Sequence, residues 1–324
     1  MDSESEFRPG INLESLDTIV QRVIKEIRGR GSEPELPTGL KALDNAIWGL
    51  HRKELCVISA RPGEGKTSMG LQIARNLVAH DKKVLFLSFE MTKEQLVERF
   101  LVQMTQADAW DLRVGRNVEN FVSKVNEHSE FFKSANLRIM DDIGRTPTEL
   151  KHVMNKVDDL TGSCPDVLIL DFIQQIRGEG DMKKHEAVEM YLQTLKDLGK
   201  EFNMANLILS QNNRESVKGK KTTPSLEHMK DSASLEELAD CVLMPWWEEL
   251  GTEEKPEGMK YWICIPKQRY GTPGQRIPVK FIKEILTFTD VEDTVDKWTP
   301  TGNPDADRVA QFFDASKSIE NNFP

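Results

Sequence analysis

No apolar run in this chain of 324 residues approaches the ~18 residues that a membrane-spanning helix needs, which excludes a helical membrane protein. Residues 1–9 are acidic and polar and hold no apolar stretch, so no secretion signal is read there. A cytoplasmic location is expected. Cysteine is scarce: Cys56, Cys164, Cys241 and Cys264 form no C-x-x-C pair, and three of them sit in apolar, strand-like runs. That pattern argues against a disulfide framework and a zinc site, and leaves reduced core cysteines as the expectation. An excess of positive charge is lacking too, since the formal net charge is -10. Nucleic acid is contacted mostly through Lys and Arg, but a ring or groove needs only a local basic strip. There is no internal repeat.

What is present describes a soluble globular protein, with 38% hydrophobic and 30% charged residues. One large domain with appendages is expected. The chain reads in three parts: an N-terminal arm over 1–37, a main domain over 38–290, and an acidic tail over 291–324. In the arm, Leu13, Leu16, Ile19, Val20, Val23 and Ile27 recur at helical spacing, which predicts an amphipathic helix over 12–28. Gly29, Gly31, Pro34 and Pro37 then read as a linker. The apolar stripe needs a cover, either its own domain or a neighbouring subunit.

In the main domain, short apolar runs at 56–59, 84–89, 137–140, 167–170 and 207–209 alternate with helical patterns at 67–79, 93–104, 148–159 and 186–202. Continuous apolar runs predict strands covered on both faces, and the alternation predicts an α/β fold with a mainly parallel central sheet flanked by helices. Further runs at 241–244, 261–265, 279–282 and 285–288 lack long helices between them and predict an antiparallel extension. The tail, rich in Asp, Pro and Asn, holds one short helical pattern over 305–315. Its carboxylates, with Phe312, Phe313 and Phe323, suit docking on a basic partner such as a polymerase or strand-binding protein.

Ala60-Arg61-Pro62-Gly63-Glu64-Gly65-Lys66-Thr67 follows a predicted strand and opens a predicted helix, matching G-x-x-x-x-G-K-[ST] except for the alanine. Backbone N–H groups of such a loop cradle phosphates, and the helix N-terminus, with Thr67 and Ser68 in its first turn, adds its positive dipole end. Lys66 supplies a cation for the same oxygens, and the Thr67 hydroxyl suits a Mg²⁺ ion. Residues 167–170 end in Asp171, the carboxylate that a Walker B strand needs for the same ion. Loop and strand together predict a RecA-like P-loop site for a nucleoside triphosphate with Mg²⁺. Glu90 ends another apolar run and Gln211 a third, where ligands collect at the carboxyl ends of parallel strands. Position allows Glu90 to be a base for water and Gln211 to sense a γ-phosphate, or either to be an ordinary cap or turn residue. Asp141 and Asp142 read as turn residues.

Lys267-Gln268-Arg269 follows a strand too remote to serve this chain's own phosphates. Either an arginine finger for a neighbouring subunit or a solvated hairpin fits there. Two basic loops remain: Arg177, Lys183, Lys184 and His185 follow the Asp171 strand, and Arg214, Lys218, Lys220, Lys221 and Lys230 follow Gln211. Both leave strand ends in one region of the sheet. They form either a joint phosphate-tracking surface or solvated faces.

Taken together these motifs resemble the C-terminal ATPase domain of replicative DnaB-type helicases, including phage versions. The resemblance spans roughly 39–290 and rests on Thr38-Gly39-Leu40-Lys41-Ala42-Leu43-Asp44, the Ala-Arg-Pro form of the loop, Ser88-Phe89-Glu90-Met91, Asp171-Phe172-Ile173-Gln174, Leu209-Ser210-Gln211-Asn212-Asn213-Arg214, Asp231-Ser232-Ala233-Ser234-Leu235-Glu236 with Ala239-Asp240, and Lys267-Gln268-Arg269-Tyr270-Gly271. It implies a homo-oligomeric, hexameric ring that moves along single-stranded DNA on ATP bound between subunits. Glu90 is then the catalytic base, Gln211 the γ-phosphate sensor, and Lys267 and Arg269 reach the neighbour's nucleotide. Lys230, Asp231 and Ser232 touch the DNA backbone, and the helix near residue 12 packs on the adjacent protomer. Primase, a polymerase, a loader or a strand-binding protein are the partners such a ring takes.

Two departures accompany the resemblance. No counterpart of the family's N-terminal collar domain is expected in the residues before 38, and Lys230-Asp231-Ser232-Ala233-Ser234 stands where the family reads Arg-Glu-Ser-Gly-Ser, losing the glycine that favours close backbone approach. The lost collar and the acidic tail motivate a second reading, a RecA-like accessory or regulatory protein whose bound nucleotide switches partner binding without unwinding. Glu90, Gln211 and the two remote cations weigh against it, because a switch needs no catalytic base.

Overall fold

Ser15 accepts a hydrogen bond from the Thr18 N–H at 3.2 Å and so caps the first helix, α1 (Leu16–Arg28). The computed structural model describes residues 14–141, 144–178, 182–212, 224–229, 232–247 and 261–291. Within it the chain divides into two compact units, 1–34 and 35–324. The first holds α1, which starts at Leu16, behind its Ser15 cap, where the spacing predicts a start at 12. No residue of α1 is buried, and among the described residues of its unit nothing covers Leu16, Ile19, Val20, Val23, Ile24 and Ile27.

Among its described residues the second unit is built on nine strands. They are β1 (Leu55–Ala60), β2 (Val84–Ser88), β3 (Leu137–Asp141), β4 (Val167–Asp171), β5 (Ala205–Gln211), β6 (Cys241–Trp247), β7 (Tyr261–Gln268), β8 (Gln275–Ile282) and β9 (Thr287–Asp290). They form one sheet in the order β3-β2-β4-β5-β1-β6-β7-β8-β9. Pairing is parallel from β3 through β6 and antiparallel from β6 to β9, as the sequence led us to expect. The continuous apolar runs follow from burial on both faces. Cys56 and Ile58 of β1, Val84 and Phe86 of β2, and Val167 and Ile169 of β4 enter one core, while Leu55, Val57, Leu85, Leu87, Leu168 and Leu170 enter the other. β9 begins at Thr287 rather than 285, because Leu286 takes a left-handed φ of 54° in the turn that precedes it.

On the first face, α2 (Lys41–Ile47) and α3 (Lys66–Ala79) pack under the sheet, and α4 (Lys93–Thr105) packs against α3. α2 has no side-chain cap of its own; Asp290 at the end of β9 accepts its Lys41 and Ala42 N–H groups, both at 2.9 Å. Every residue of α3 up to Val78 is buried. Gln72 pairs with the backbone of Phe288 in both directions, at 2.8 and 2.7 Å, and Gln103 donates to Ser68 O at 2.8 Å and Leu286 O at 2.7 Å. The helix that opens at Lys66 is thereby lashed to the antiparallel extension. Three short helices, α5 (Ala109–Arg113), α6 (Val118–Glu127) and α7 (Ser129–Ser134), bury no residue completely. On the second face lie α8 (Pro147–Thr161), α9 (Lys184–Glu201) and α10 (Ser232–Leu238), with Tyr191, Leu192 and Leu195 of α9 fully buried. α4 and α8 open on reciprocal caps, Thr92 with Gln95 and Thr146 with Glu149.

The four cysteines are free thiols; Cys56 and Cys264 are buried, whereas Cys164 and Cys241 are only half-buried rather than core residues. Among the described residues no cluster of His, Cys, Asp and Glu could hold a metal ion by itself, and no helix is long and apolar enough to cross a membrane. Asp142 and nearly all of the tail, including the helical pattern over 305–315, lie outside the described residues.

Candidate functional site

The glycine expected at the first loop position is unnecessary here. Ala60 is the last residue of β1, paired with Gln211, and is not among the residues of positive φ. The turn comes later, at Gly63 and Gly65, with φ of 83° and 81°. Glu64 closes it, its carboxylate accepting the Arg61 N–H at 3.0 Å and its own N–H donating to Arg61 O at 3.1 Å. Lys66, Thr67 and Ser68 then form the first turn of α3, with their N–H groups at its positive end. Arg61, Pro62 and Gly63 sit at the open rim. Such a loop is a cradle for a phosphate chain.

β4 brings Asp171 to the same place from two strands away. Its carboxylate, 0% exposed, accepts the Lys66 ammonium on one oxygen and the Thr67 hydroxyl on the other, the latter at 2.7 Å. The Lys66 ammonium also stands 3.8 Å from Glu90 and 4.7 Å from the centre of the Phe172 ring. Phe89 donates its N–H to Asp171 O at 2.6 Å, and the Ser88 hydroxyl bridges to the Met91 backbone, so the turn that carries Glu90 is pinned. The helix cap is Thr92, which leaves Glu90 outside the capping role, its side chain 44% exposed beside the loop. Gln211 ends β5, next to Ala60, and its N–H donates to Gln174 Oε1 at 3.1 Å. Lys66, Thr67, Asp171, Glu90 and Gln211 thus share the carboxyl edge of the parallel strands.

Lys267 and Arg269 do not. β7 runs antiparallel to β6, so its end lies at the opposite edge. Arg269 Nη1 donates to Asp240 Oδ1 at 2.6 Å, and Asp240 Oδ2 accepts the N–H of Leu55 at 3.0 Å, at the start of β1. The strand rises ~17 Å in the five residue steps from Leu55 to Ala60. Lys267 donates to the carbonyls of Glu236 and Glu237. Burial and the neighbouring Arg269 and Lys196 cations lower its pKa, opposed by Asp240 and Glu236.

The two basic loops leave the adjacent strands β4 and β5. Lys183 precedes α9, while the Lys184 ammonium is turned onto Ile176 O at 2.5 Å. Ser232 opens α10. Arg214, Lys218, Lys220, Lys221, Lys230 and Asp231 lie outside the described residues.

Several supporting residues escaped the sequence reading. Arg145 donates to Phe89 O at 3.1 Å and to Gln175 O at 3.4 Å, joining the ends of β2 and β4 beside Glu90. Asp141, read as a turn residue, is instead the last residue of β3, paired with Ser88, and accepts the Lys93 N–H at 3.1 Å. Asp44 accepts the N–H and hydroxyl of Thr38, both at 2.8 Å, and the N–H of Gly39 at 3.1 Å, which explains the Thr38–Asp44 motif as a structural lock. Asp240 carried a signal, its place in a quoted motif; Arg145 carried none, because its partners are backbone carbonyls of distant segments.

Comparison with known proteins adds the following. The family described as DnaB-like helicase C terminal domain matches residues 35–290. The replicative DNA helicase DnaC of Bacillus subtilis is 28% identical over 286 residues, covering 86% of this chain and 62% of that protein. The replicative DNA helicase DnaB of Pasteurella multocida is 29% identical over 288 residues, covering 87% and 61%. The chain therefore spans about six tenths of the length of these relatives. Among solved structures, a DnaB-like replicative helicase described with its interactions with primase superposes with a TM-score of 0.77 at 22% identity, over 86% of this chain and 68% of that one. A second solved structure, described as an ATPase domain, gives a TM-score of 0.77 at 22% identity, over 86% and 99%. These two likenesses establish the RecA-like fold.

Proposed function

Because the chain belongs to the DnaB-like helicase C-terminal domain family, we propose that it is the ATP-hydrolysing motor of a replicative DNA helicase, acting on single-stranded DNA as a ring, by resemblance a hexamer. One observation carries the reading. The phosphate loop, Asp171 and Glu90 meet at one edge of the sheet, while the two cations that ATP hydrolysis would still need, Lys267 and Arg269, lie at the other. Only a second copy can bring them to the same nucleotide.

Loop N–H groups and Lys66 bind the β- and γ-phosphates, with Lys66 leaving Asp171 as the anion arrives. The freed Asp171 carboxylate and the Thr67 hydroxyl, two hard oxygen donors already 2.7 Å apart, fit Mg²⁺ and would hold it. Bound there, the ion neutralises charge on the phosphate oxygens. Glu90 orients the attacking water and takes its proton, and Gln211 donates to the γ-phosphate. Arg269 and Lys267 of the neighbouring copy stabilise the charge that develops on the transferred group. Lys183 and Lys184 after β4, with Arg214, Lys218, Lys220, Lys221, Lys230, Asp231 and Ser232 after β5, follow the DNA backbone. α1 covers its apolar stripe on an adjacent copy. A primase, polymerase, loader or strand-binding protein is the class of further partner.

The deciding experiment measures ATPase rate with and without single-stranded DNA alongside particle mass. Stimulation by DNA in a ring-sized particle supports the motor. Hydrolysis that ignores DNA in a monomer returns the switch protein as the better reading.

A further inference from the structure

Tyr261 lies at the head of β7, on the phosphate edge, with its ring set against Phe288 at 5.5 Å and 68° and against Phe281 at 5.6 Å. Phe281 and Phe288 stack on each other at 4.3 Å. This aromatic group forms the back wall of the loop: a Cβ on Gly65 would come within 2.7 Å of Phe288 Cζ and 3.1 Å of Phe281 Cζ. The Tyr261 hydroxyl donates to the carbonyl of Glu64. Burial and the nearby Glu64 push this phenol well above its ordinary range, so it stays a donor at neutral pH. The Glu64–Gly65 peptide is trans, and in a trans peptide the C=O and N–H point in opposite directions. Holding the Glu64 carbonyl toward β7 therefore turns the Gly65 N–H away from it, into the mouth of the loop. No backbone carbonyl among the described residues takes that N–H.

We propose that Tyr261 is a positioning residue for nucleotide binding: through the Glu64 carbonyl it fixes the plane of the Glu64–Gly65 peptide so that the Gly65 N–H faces the incoming phosphate. The inference rests on reading the loop as a phosphate cradle. Without the phenol, the peptide can rotate, and a bound phosphate must order it at the cost of affinity. The effect belongs to the phosphate part of the ligand, because Tyr261 stands behind the loop and contacts its backbone.

Tyr261→Phe keeps the ring and its packing and removes only the hydroxyl. Calorimetry of the full chain at about 20 °C should follow Mg–ADP and magnesium pyrophosphate, with the melting temperature measured in parallel. Both Kd values are expected to rise by the same factor, about twofold to tenfold, the scale of one hydrogen bond. Unchanged Kd values with a lowered melting temperature would make the phenol purely structural and overturn the proposal. A loss confined to Mg–ADP would place Tyr261 on the nucleoside and overturn it equally. If wild type binds neither ligand, the phosphate-cradle reading itself falls, an outcome distinct from both.

Discussion

Lys66 meets two carboxylates, and only one is fully buried, so the two should respond differently to its loss. Lys66→Ala is expected to abolish hydrolysis and also to destabilise the nucleotide-free protein by about 3 kcal/mol, because Asp171 is left charged at 0% exposure with Thr67 alone. Denaturant unfolding without nucleotide checks this, since a purely ligand-binding lysine would leave the midpoint unmoved. Glu90 is exposed enough to be replaced without such a cost. Glu90→Gln should keep Mg–ATP affinity and lower kcat by about 10²- to 10⁴-fold, read by steady-state rates beside equilibrium binding. The sequence made these residue types legible through spacing. It left Arg145 and Tyr261 invisible, because what each does depends on a carbonyl that only the folded chain brings within reach.

At the scale of elements, the two turn glycines of the loop separate strain from crowding. Gly63 and Gly65 share a positive φ, but a Cβ on Gly63 meets nothing within 4 Å, whereas one on Gly65 strikes the aromatic wall. Gly63→Ala should therefore cost about 1 kcal/mol of backbone strain, and Gly65→Ala clearly more, with nucleotide binding lost; paired unfolding and binding curves decide it. Asp44 of α2, which holds the segment before the helix, supplies a pH signature. Burial pushes the Asp44 carboxyl up to about 6 from 3.8, against the hydrogen bonds from Thr38 and Gly39 that pull it down. The folded state then holds this proton more tightly than the unfolded chain, so the contribution is present in full below about pH 4 and is lost as pH rises through about 6. Relative to Asp44→Asn, wild type should lose up to about 3 kcal/mol between about pH 4 and about pH 7. Strands and long helices were legible because each carries enough residues for its period to show. α5 and α7 were not, each being too short for a period to show, whereas α6 carries its stripe in Val118, Phe121, Val122 and Val125 and was legible though unread.

The whole molecule separates its phosphate edge from its cation edge by the height of the sheet. Two inactive variants should consequently repair each other: Lys66→Ala supplies intact cations, Arg269→Ala supplies an intact loop, and a mixed particle should hydrolyse ATP where neither alone does. Failure of mixing to restore activity, in particles of confirmed mass, would put Arg269 outside the shared site. Arg269 is held by Asp240 with its side chain still 58% exposed, poised at a surface rather than locked inside.

Periodicity and motif order by themselves determined the alternating architecture, the phosphate loop and the Asp171 strand, because backbone hydrogen bonding and two-sided burial leave few other uses for continuous apolar runs ending in those residues. Strand order was decided only in three dimensions. Nothing in the local sequence says that β1 lies between β5 and β6, or that β7 turns back so that Tyr261 backs the loop while Arg269 departs from it. Pairing of distant segments depends on the global burial of two cores, and local propensity does not encode which carbonyl a remote side chain will meet.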